Sequence, residues 1–245
     1  MMRLISVCLI AVAAALCGCR GEAQQASPAC ERQEFDGSKF TVCTFEAARD
    51  KLLLTDQYRR LTTLERALGS KAGEVRFAMN AGMYDASGKA VGLYVEAGKE
   101  MHPANTADGP GNFHMKPNGV FWIESGGAHV STTDDYLAGN HTPDWATQSG
   151  PMLVIGGKLH PSIQDDGPSR FVRNGVGVRN PSTAVFVISD EPVSFGRLAR
   201  LFRDGLDCKD ALYLDGAVSS LWDPATGRLD SAFDLGPIVV VSDAD

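Results

Sequence analysis

Five stretches of this 245-residue chain place glycine beside carboxylate, guanidinium, amide or hydroxyl side chains, which are the groups that bind and activate small polar substrates. They are NAGMY (80–84), KPNGVF (116–121), TQSGPML (147–153), RNGVGV (173–178) and YLDGAVSS (213–220). Each one alone is ordinary turn chemistry, since Asn, Asp, Ser and Gly are favoured at strand ends. Together they indicate a site, because functional side chains gather on loops that a rigid sheet holds in place.

The side chains in these stretches suit a ligand that joins a sugar to a phosphate. Arg173 and Lys116 can bind a phosphate, the arginine through its planar fork of donors. Asp215 follows the apolar run ALYL and can serve as a base, a nucleophile or an acceptor for a hydroxyl, and Asp234 is a second acid. Side chains suited to sugar hydroxyls or to stacking on a pyranose face are Asn80, Asn118, Gln148, Tyr84 and Trp222, of which the two aromatic residues equally suit a core.

Other common catalytic motifs are missing from the sequence. It contains no Gly-x-Ser-x-Gly elbow, no His-Glu-x-x-His, no phosphate-binding P-loop and no dinucleotide-binding glycine motif. The five histidines are scattered, and the cysteine spacings do not resemble zinc sites. We therefore expect no metal and no cofactor. A hydrolase that attacks an amide or ester through Ser149 or Ser219 is an alternative.

The charge of the chain argues against nucleic acid as a partner. The formal net charge is −7, and no run of lysine or arginine occurs, whereas phosphate backbones require basic surfaces. Hydrophobic residues make up 44% of the chain, which is enough for a full core. The composition therefore predicts a globular protein that does not bind nucleic acid.

The N-terminus predicts export. Arg3 precedes the apolar run LISVCLIAVAAAL, which has the length of a signal-peptide core and is short for a membrane span. The run ends in LCGC (16–19), which resembles a bacterial lipobox with Cys19 as the lipidated residue. We therefore predict a signal peptide (1–19), a polar tether (20–29) and a periplasmic or outer-membrane lipoprotein whose only membrane contact is its lipid anchor. Secretion without lipidation is the alternative.

The remaining cysteines predict one disulfide bond. Cys30 and Cys43 flank a segment in which Asp36-Gly37 is a good hairpin turn, so two paired strands would bring the thiols together. An exported protein can hold such a bond. We expect Cys208 to be a buried free thiol.

The hydrophobic patterns predict one α+β domain over residues 30–245, with a mixed, mostly antiparallel β-sheet core flanked by helices. One helix is expected over 58–69, and a second from an N-cap at Ser194 to a stop at Gly205. The second lies between the strands TAVFVISD and ALYLD, which predicts a strand–helix–strand unit. A short strand is expected around Val176, and Gln148 and Ser149 are expected on a tight turn.

The five stretches, in this order, resemble the phosphodiester glycosidase family, and most closely its exported bacterial members. The resemblance covers residues 30–245 and implies an enzyme that cleaves a sugar from a sugar-1-phosphate diester and leaves a phosphate monoester. Phosphate is a good leaving group, so such a site needs a carboxylate near the anomeric carbon and a cation for the phosphate more than it needs a strong acid. A non-catalytic, glycan-binding lipoprotein of the cell envelope is the alternative on the same fold.

The resemblance also implies roles for individual residues. Arg173 falls on the family's Arg-x-x-x-Gly motif, and Asp215 falls on its Leu-Asp-Gly-Gly-Gly-Ser motif, so these two are the predicted catalytic residues. Ala217 and Val218 replace two glycines of the second motif, so the resemblance implies the reaction but not the sugar. The predicted substrate-binding residues are Asn80, Lys116, Asn118, Gln148, Ser149, Asn174, Gly216 and Ser219.

Overall fold

The computed structural model describes residues 28–244. The predicted signal peptide, the lipidation site Cys19 and residues 20–27 of the tether lie outside the described residues. The last tether residue, Ala29, is buried, and its carbonyl accepts a hydrogen bond of 2.8 Å from the Thr44 amide. No helix within 28–244 combines the length and the apolar character that crossing a membrane requires.

The described residues form seventeen strands and three short α-helices. The strands are β1 (Cys30–Phe35), β2 (Ser38–Glu46), β3 (Asp50–Thr55), β4 (Val75–Asn80), β5 (Tyr94–Glu96), β6 (Lys99–His102), β7 (Gly119–Glu124), β8 (Gly127–Thr132), β9 (Trp145–Ser149), β10 (Met152–Ile155), β11 (Lys158–Leu159), β12 (Asn174–Asn180), β13 (Thr183–Ser189), β14 (Asp210–Tyr213), β15 (Leu221–Asp223), β16 (Arg228–Leu229) and β17 (Ile238–Asp243). The helices are α1 (Leu61–Leu68), α2 (Thr133–Ala138) and α3 (Phe195–Arg200), and a π-helical turn over Leu201–Gly205 continues α3.

The strands form three antiparallel sheets. Sheet A has the order β1-β2-β13-β12-β14-β10-β11, sheet B has β16-β15-β4-β17-β3, and sheet C has β6-β5-β9-β7-β8. The predicted α+β class with a mostly antiparallel core is confirmed. The predicted strand–helix–strand unit is β13–α3–β14, and because β12 pairs antiparallel with both strands, β13 and β14 run in the same direction on either side of it.

The three sheets enclose one central core, in which each contributes a phenylalanine. The ring of Phe186 from sheet A lies 5.4 Å from that of Phe77 in sheet B and 5.5 Å from that of Phe121 in sheet C, measured between centroids. All three side chains are essentially inaccessible to solvent. Alternation along β13 sends Phe186 into this core and its neighbour Val187 to the opposite face of sheet A.

The helices cover the outer faces of the sheets. Leu198 of α3 and Phe202 of the π turn pack on sheet A, while Leu61 and Leu64 of α1 pack on sheet B. The predicted N-cap of α3 is confirmed, since the Ser194 side chain accepts a hydrogen bond from the amide three residues later. The first helix begins at Leu61, three residues later than predicted.

Two strand predictions differ from the structure. The short strand expected around Val176 is β12, a seven-residue strand near the middle of sheet A. Gln148 and Ser149 are not on a tight turn: they end β9, where they pair with Val120 and Gly119 of β7. The chain turns after them, at Gly150, because β9 and the following strand β10 belong to different sheets.

The N-terminal hairpin forms as predicted. The strands β1 and β2 turn at Asp36 and Gly37, which both have positive φ, and their register places Cys30 opposite Cys43. The two cysteines form a disulfide bond, and Cys208 is a buried free thiol. Both cysteine predictions are confirmed.

Loss of this disulfide is expected to lower the free energy of unfolding by about 3 kcal/mol, because it closes a loop of roughly 15 residues in the unfolded chain. Replacing Cys30 and Cys43 by serine should therefore lower the urea midpoint. A reductant should lower the midpoint of the wild type and leave that of the double variant unchanged. Equal midpoints for wild type and variant would show that the bond contributes no stability.

Candidate active site

The five stretches meet where strand ends of the three sheets come together. Four backbone hydrogen bonds connect them: Asp215 N to Ala81 O (3.0 Å), Leu214 N to Asn174 O (3.2 Å), Tyr213 N to Pro151 O (3.0 Å) and Met152 N to Pro117 O (3.0 Å). Long-range strand pairing thus brings together segments that are separated by up to about half of the chain. The end of β14 delivers Asp215 to this junction, beside the end of β4 and the beginning of β12.

Asn80 is the hub of the hydrogen bonds at the junction. Its buried amide nitrogen donates to the carbonyl of Asp215 (2.7 Å). Its Oδ1 accepts from the Ser220 amide (2.9 Å) and from Nδ2 of Asn174 (3.0 Å). One side chain therefore fixes both ends of the loop that carries Asp215.

The carboxyl group of Asp215 binds its proton more tightly than an ordinary aspartate side chain does. Burial raises its pKa to about 6, and a hydrogen bond from the Ala217 amide opposes the shift in part. The pKa values of Tyr84 and Tyr213 are raised first by their own burial and further by the charge of Asp215. The acid is therefore desolvated, flanked by two phenols, and poised to titrate near neutral pH.

The guanidinium of Arg173 lies in the protein interior, with 1% of the residue exposed. Nε donates to the Val193 carbonyl (2.9 Å), Nη1 to the Tyr213 hydroxyl (3.3 Å), and Nη2 to the hydroxyl (3.1 Å) and carbonyl (3.3 Å) of Ser169. Its central carbon lies 3.7 Å from the centroid of the Phe195 ring. Burial lowers its pKa, and within residues 28–244 no carboxylate pairs with it.

Tyr213 connects this cation to the acid. Its hydroxyl accepts from Arg173, and its phenol lies close to the Gly216 amide, which together with the guanidinium opposes the rise of its pKa. Asp215 and Tyr213 are two residues apart, so an extended chain directs both side chains to one face. This i, i+2 relation was the signal by which the sequence could have identified Tyr213.

The ring of Tyr213 lies so close to the backbone at position 216 that a glycine is required there. A Cβ built on Gly216 would overlap the phenolic oxygen of that buried ring. We expect Gly216→Ala to lower the free energy of unfolding by about 1–3 kcal/mol, as overpacking does. Urea unfolding measures this, and Gly73→Ala is the control, because a Cβ there meets no atom within 4 Å. Equal stability of the Gly216 variant and wild type would contradict the close approach.

Ser219 holds the turn that follows the acid. Its hydroxyl lies 3.0 Å from the Gly216 carbonyl, 3.3 Å from Oδ1 of Asn174 and 3.4 Å from the Val172 carbonyl. Ser149 is fully buried, and its hydroxyl has no hydrogen-bond partner in the described part of the chain. Among residues 28–244 neither serine has a hydrogen bond to a histidine, so neither has the base that a serine nucleophile needs.

The loop after Asp215 lines a cleft of about 640 Å³. Gly216, Ser219 and Ser220 contribute to one part of its lining, and the aromatic rings of Phe171 and Phe233 contribute to another. Neither phenylalanine was identified from the sequence, because both lie in loops whose path depends on tertiary contacts. Their apolar character within polar segments was the only local signal.

The other predicted substrate-binding residues do not line this cleft. Oε1 of Gln148 accepts from the amides of Leu93 (2.9 Å) and Asn105 (2.8 Å), and Nε2 donates to the Asn105 carbonyl (2.8 Å) and to the Thr133 hydroxyl (3.1 Å). Asn118 is also buried: it donates to a backbone carbonyl and accepts from the Thr133 hydroxyl (2.8 Å). In the structure these amides hold loops together.

Three further residues are placed as follows. Lys116 forms an ion pair with Asp108 (2.6 Å) and is half exposed. Asp234 forms an ion pair with Arg60 (2.7 Å) at the surface and is not among the causes of the Asp215 pKa shift. The ring of Trp222 is buried in the core under α1, so it is a core residue.

Comparisons with known proteins agree with this architecture. The model of the phosphodiester glycosidase family matches residues 73–227. YigE of Escherichia coli (strain K12), described as uncharacterized, is 36% identical over 150 residues, which are 61% of this chain and 59% of YigE. The chain thus spans less than two thirds of the length of that relative.

Two solved structures have a similar fold. The first is the zebrafish N-acetylglucosamine-1-phosphodiester α-N-acetylglucosaminidase catalytic domain, auto-inhibited by its pro-peptide, with a TM-score of 0.61 and 14% identity over 90% of this chain and 85% of that one. The second is a hypothetical protein from Synechocystis, with a TM-score of 0.55 and 14% identity over 88% of this chain and 61% of that one. Structural likeness at such identities establishes the fold alone.

The segment that matches the family model includes all five stretches, from Asn80 to Ser220. It contains the acid at the end of β14, the amide hub at the end of β4 and the arginine before β12. These elements form one hydrogen-bonded junction in the structure. Since the family model also matches more than half of the chain, the protein belongs to the phosphodiester glycosidase family.

Proposed function

We propose that this protein is an exported hydrolase that cleaves a sugar from a glycosyl-1-phosphodiester and leaves a phosphate monoester. The observation that carries the proposal is Asp215, an acid whose pKa is raised to about 6. It stands directly before a loop that lines a large cleft, in a chain of the phosphodiester glycosidase family. A desolvated carboxylate beside a cleft is the group that an anomeric carbon requires.

A single carboxylate suffices for this reaction. Ordinary glycosidases use two, because one must protonate a poor leaving group. The pKa shift of Asp215 has two causes, burial and the Ala217 amide, and no second acid contributes to it. A phosphate leaves without protonation, so Asp215 can act either as base toward the water that attacks the anomeric carbon or as nucleophile, in which case water then hydrolyses the glycosyl ester that it forms.

We propose that Arg173 supports the departing phosphate as a fixed positive charge. It lacks a carboxylate partner among the described residues. Its Nη1 donates to the hydroxyl of Tyr213, which stands two residues before Asp215. A cation in a low-dielectric interior acts over a longer range than one in water. Direct contact with a phosphate would require Ser169 and Phe171, which cover the guanidinium, to move.

The remaining predicted residues divide into three proposed groups. Asn80 and Asn174 position the loop of Asp215, while Gly216 and Ser219 line the cleft and are proposed substrate contacts. Lys116, Asn118, Gln148 and Ser149 are proposed to support neighbouring loops. Export is proposed from the N-terminal pattern, with a lipid on Cys19, and the Cys30–Cys43 disulfide is compatible with an exported protein.

The test is incubation of the mature protein with a panel of glycosyl-1-phosphodiesters of different sugars and aglycones. The expected products are a free reducing sugar and a phosphate monoester, which ³¹P NMR distinguishes from the diester. Saturable binding of the panel without turnover would instead favour the glycan-binding alternative. Labelling by a fluorophosphonate probe would favour the serine hydrolase. Either result, without release of sugar, rejects the proposal.

The rate of this hydrolysis is expected to fall as the pH drops through about 6, because Asp215 must be ionised to act as nucleophile or base. The phosphodiester itself stays ionised over this range and adds no step. The measurement is kcat/KM between pH 4.5 and 8.5 in buffers of constant ionic strength. A flat profile, or a rate that rises below pH 6, would contradict an ionised Asp215.

A further inference from the structure

Two exposed phenylalanines line the same cleft. Phe171 is 60% exposed and Phe233 is 45% exposed, and the other large hydrophobic residues with comparable exposure in the described chain, Leu53, Met101 and Leu137, are aliphatic and lie outside this cleft. Isolated exposed apolar side chains are common, but two aromatic rings on one cleft indicate a ligand surface. Both rings keep about half of their surface in contact with water, so folding alone leaves part of each ring available to a ligand.

The first of these rings is held in position. Its backbone is fixed by a two-way hydrogen-bonded bridge, from Phe171 N to the Val193 carbonyl (3.3 Å) and from Val193 N to the Phe171 carbonyl (2.8 Å). The ring also lies over the Arg173 guanidinium, 5.4 Å from centroid to central carbon. A ring that is fixed before the ligand arrives loses little freedom on binding.

The side chains that line the cleft favour an uncharged ligand group. Among residues 28–244 no lysine or arginine lines it, and the one carboxylate that does, Asp230, is paired with Arg228 (2.9 Å). Its other polar groups are the hydroxyls of Ser219, Ser220 and Ser231. The cleft is therefore a poor place for a phosphate and a suitable place for a neutral, hydroxylated group.

A pyranose ring has this combination of surfaces. Its C–H groups form apolar faces that stack on aromatic rings, and its rim consists of hydroxyls that bond to serine side chains. The hydroxyl of Ser219 donates within the protein but keeps free lone pairs as acceptors, Ser220 is only 2% exposed, and the hydroxyl of Ser231 makes no hydrogen bond within the described residues.

We propose that Phe171 and Phe233 form an aromatic subsite that binds the sugar ring of the substrate next to the Asp215 loop. The assignment of this sugar to a phosphodiester rests on the proposed function. The recognition of a neutral pyranose rests on the cleft alone and can be measured without any reaction.

The experiment compares wild type with Phe171→Ala, Phe233→Ala, the conservative Phe171→Tyr and the control Leu137→Ala. Leu137 is 50% exposed and lies on α2, outside this cleft. Saturation-transfer NMR and titration with a panel of neutral methyl glycosides measure binding. Loss of one stacking ring should weaken the affinity about 10-fold, while the tyrosine and the control should bind as wild type does.

The outcomes separate the subsite from the hydrolase. Wild type that binds no neutral glycoside, or alanine variants that both bind as tightly as wild type, would overturn the subsite. Phe171→Ala also uncovers Arg173. If that variant loses stability, the result with Phe233→Ala decides the test. Binding that depends on the rings without release of sugar keeps the subsite and rejects the hydrolase. Release of sugar with an unchanged KM in both alanine variants would keep the hydrolase and reject the subsite.

Discussion

Replacement of Asp215 by asparagine is expected to lower the rate of phosphodiester cleavage about 10²–10⁴-fold while making the protein more stable at pH 8. The loss of rate follows because asparagine preserves the shape of the side chain and still accepts from the Ala217 amide, but cannot act as nucleophile or base. The gain in stability follows because the native protein keeps a desolvated charge at this position.

The sign of the stability effect follows from the raised pKa. Folded Asp215 titrates at about 6 against an ordinary value of 3.8, so between these values the folded state binds more protons than the unfolded state. Stability is therefore lost as the pH rises from about 4 to about 6, and the loss stays complete above that range. A shift of this size corresponds to about 3 kcal/mol at most, and the solvent contact that Asp215 retains reduces it to about 1–2 kcal/mol.

Thermal unfolding at two pH values measures this prediction. At pH 8 the Asp215→Asn variant should unfold several degrees above wild type, and at pH 4 the two should nearly coincide, because the wild-type carboxyl group is then protonated. Asp204→Asn is the control: Asp204 is exposed and paired with Arg203, which lowers its pKa, so its neutralisation should not stabilise the protein. An Asp215 variant that keeps its turnover, or that is less stable at pH 8, would show that Asp215 is not the desolvated catalytic acid.

Local interactions explain which parts of the structure could be predicted from the sequence. The hairpin of β1 and β2 depends on the turn at Asp36-Gly37, and the start of α3 depends on the cap at Ser194, so neighbouring residues suffice to predict both. The strand β3 (Asp50–Thr55) was not predicted, because it pairs with the distant C-terminal strand β17. Its alternation of buried Leu52 and Leu54 with exposed neighbours was the available signal.

The sequence predicted individual residues of the candidate site, but not how deeply they are buried or which residues they contact. Asp215 and Asn80 stand at strand ends, where turn chemistry and catalytic chemistry coincide, and the structure places them within one hydrogen-bonded junction. The depth of Arg173 could not be predicted, because the loop that covers it with Ser169 and Phe171 is fixed by long-range contacts with Val193. The hydrogen bonds of the Gln148 side chain could not be predicted either, because they depend on Asn105 in another loop.

The hub residue Asn80 is expected to be nearly as sensitive as the acid. Asn80→Ala should lower the free energy of unfolding by about 2–4 kcal/mol, because it leaves the buried Ser220 amide without a partner and removes one of two hydrogen bonds from Nδ2 of Asn174 and from the Asp215 carbonyl. Each buried group that loses its partner costs about 1–3 kcal/mol. The rate of hydrolysis should also fall, because the Asp215 loop loses its anchor to β4.

Urea unfolding and the rate at saturating substrate test this prediction together. The matched control is Asn180→Ala, since Asn180 is exposed and its side chain accepts one hydrogen bond, from the Ser182 amide (2.9 Å). That variant should lose at most about 1 kcal/mol and keep its full rate. If Asn80→Ala were as stable as the control, the amide hub would not hold the junction. If it were unstable but fully active, the position of Asp215 would depend on β14 alone, and Asn80 would belong to the fold rather than to the site.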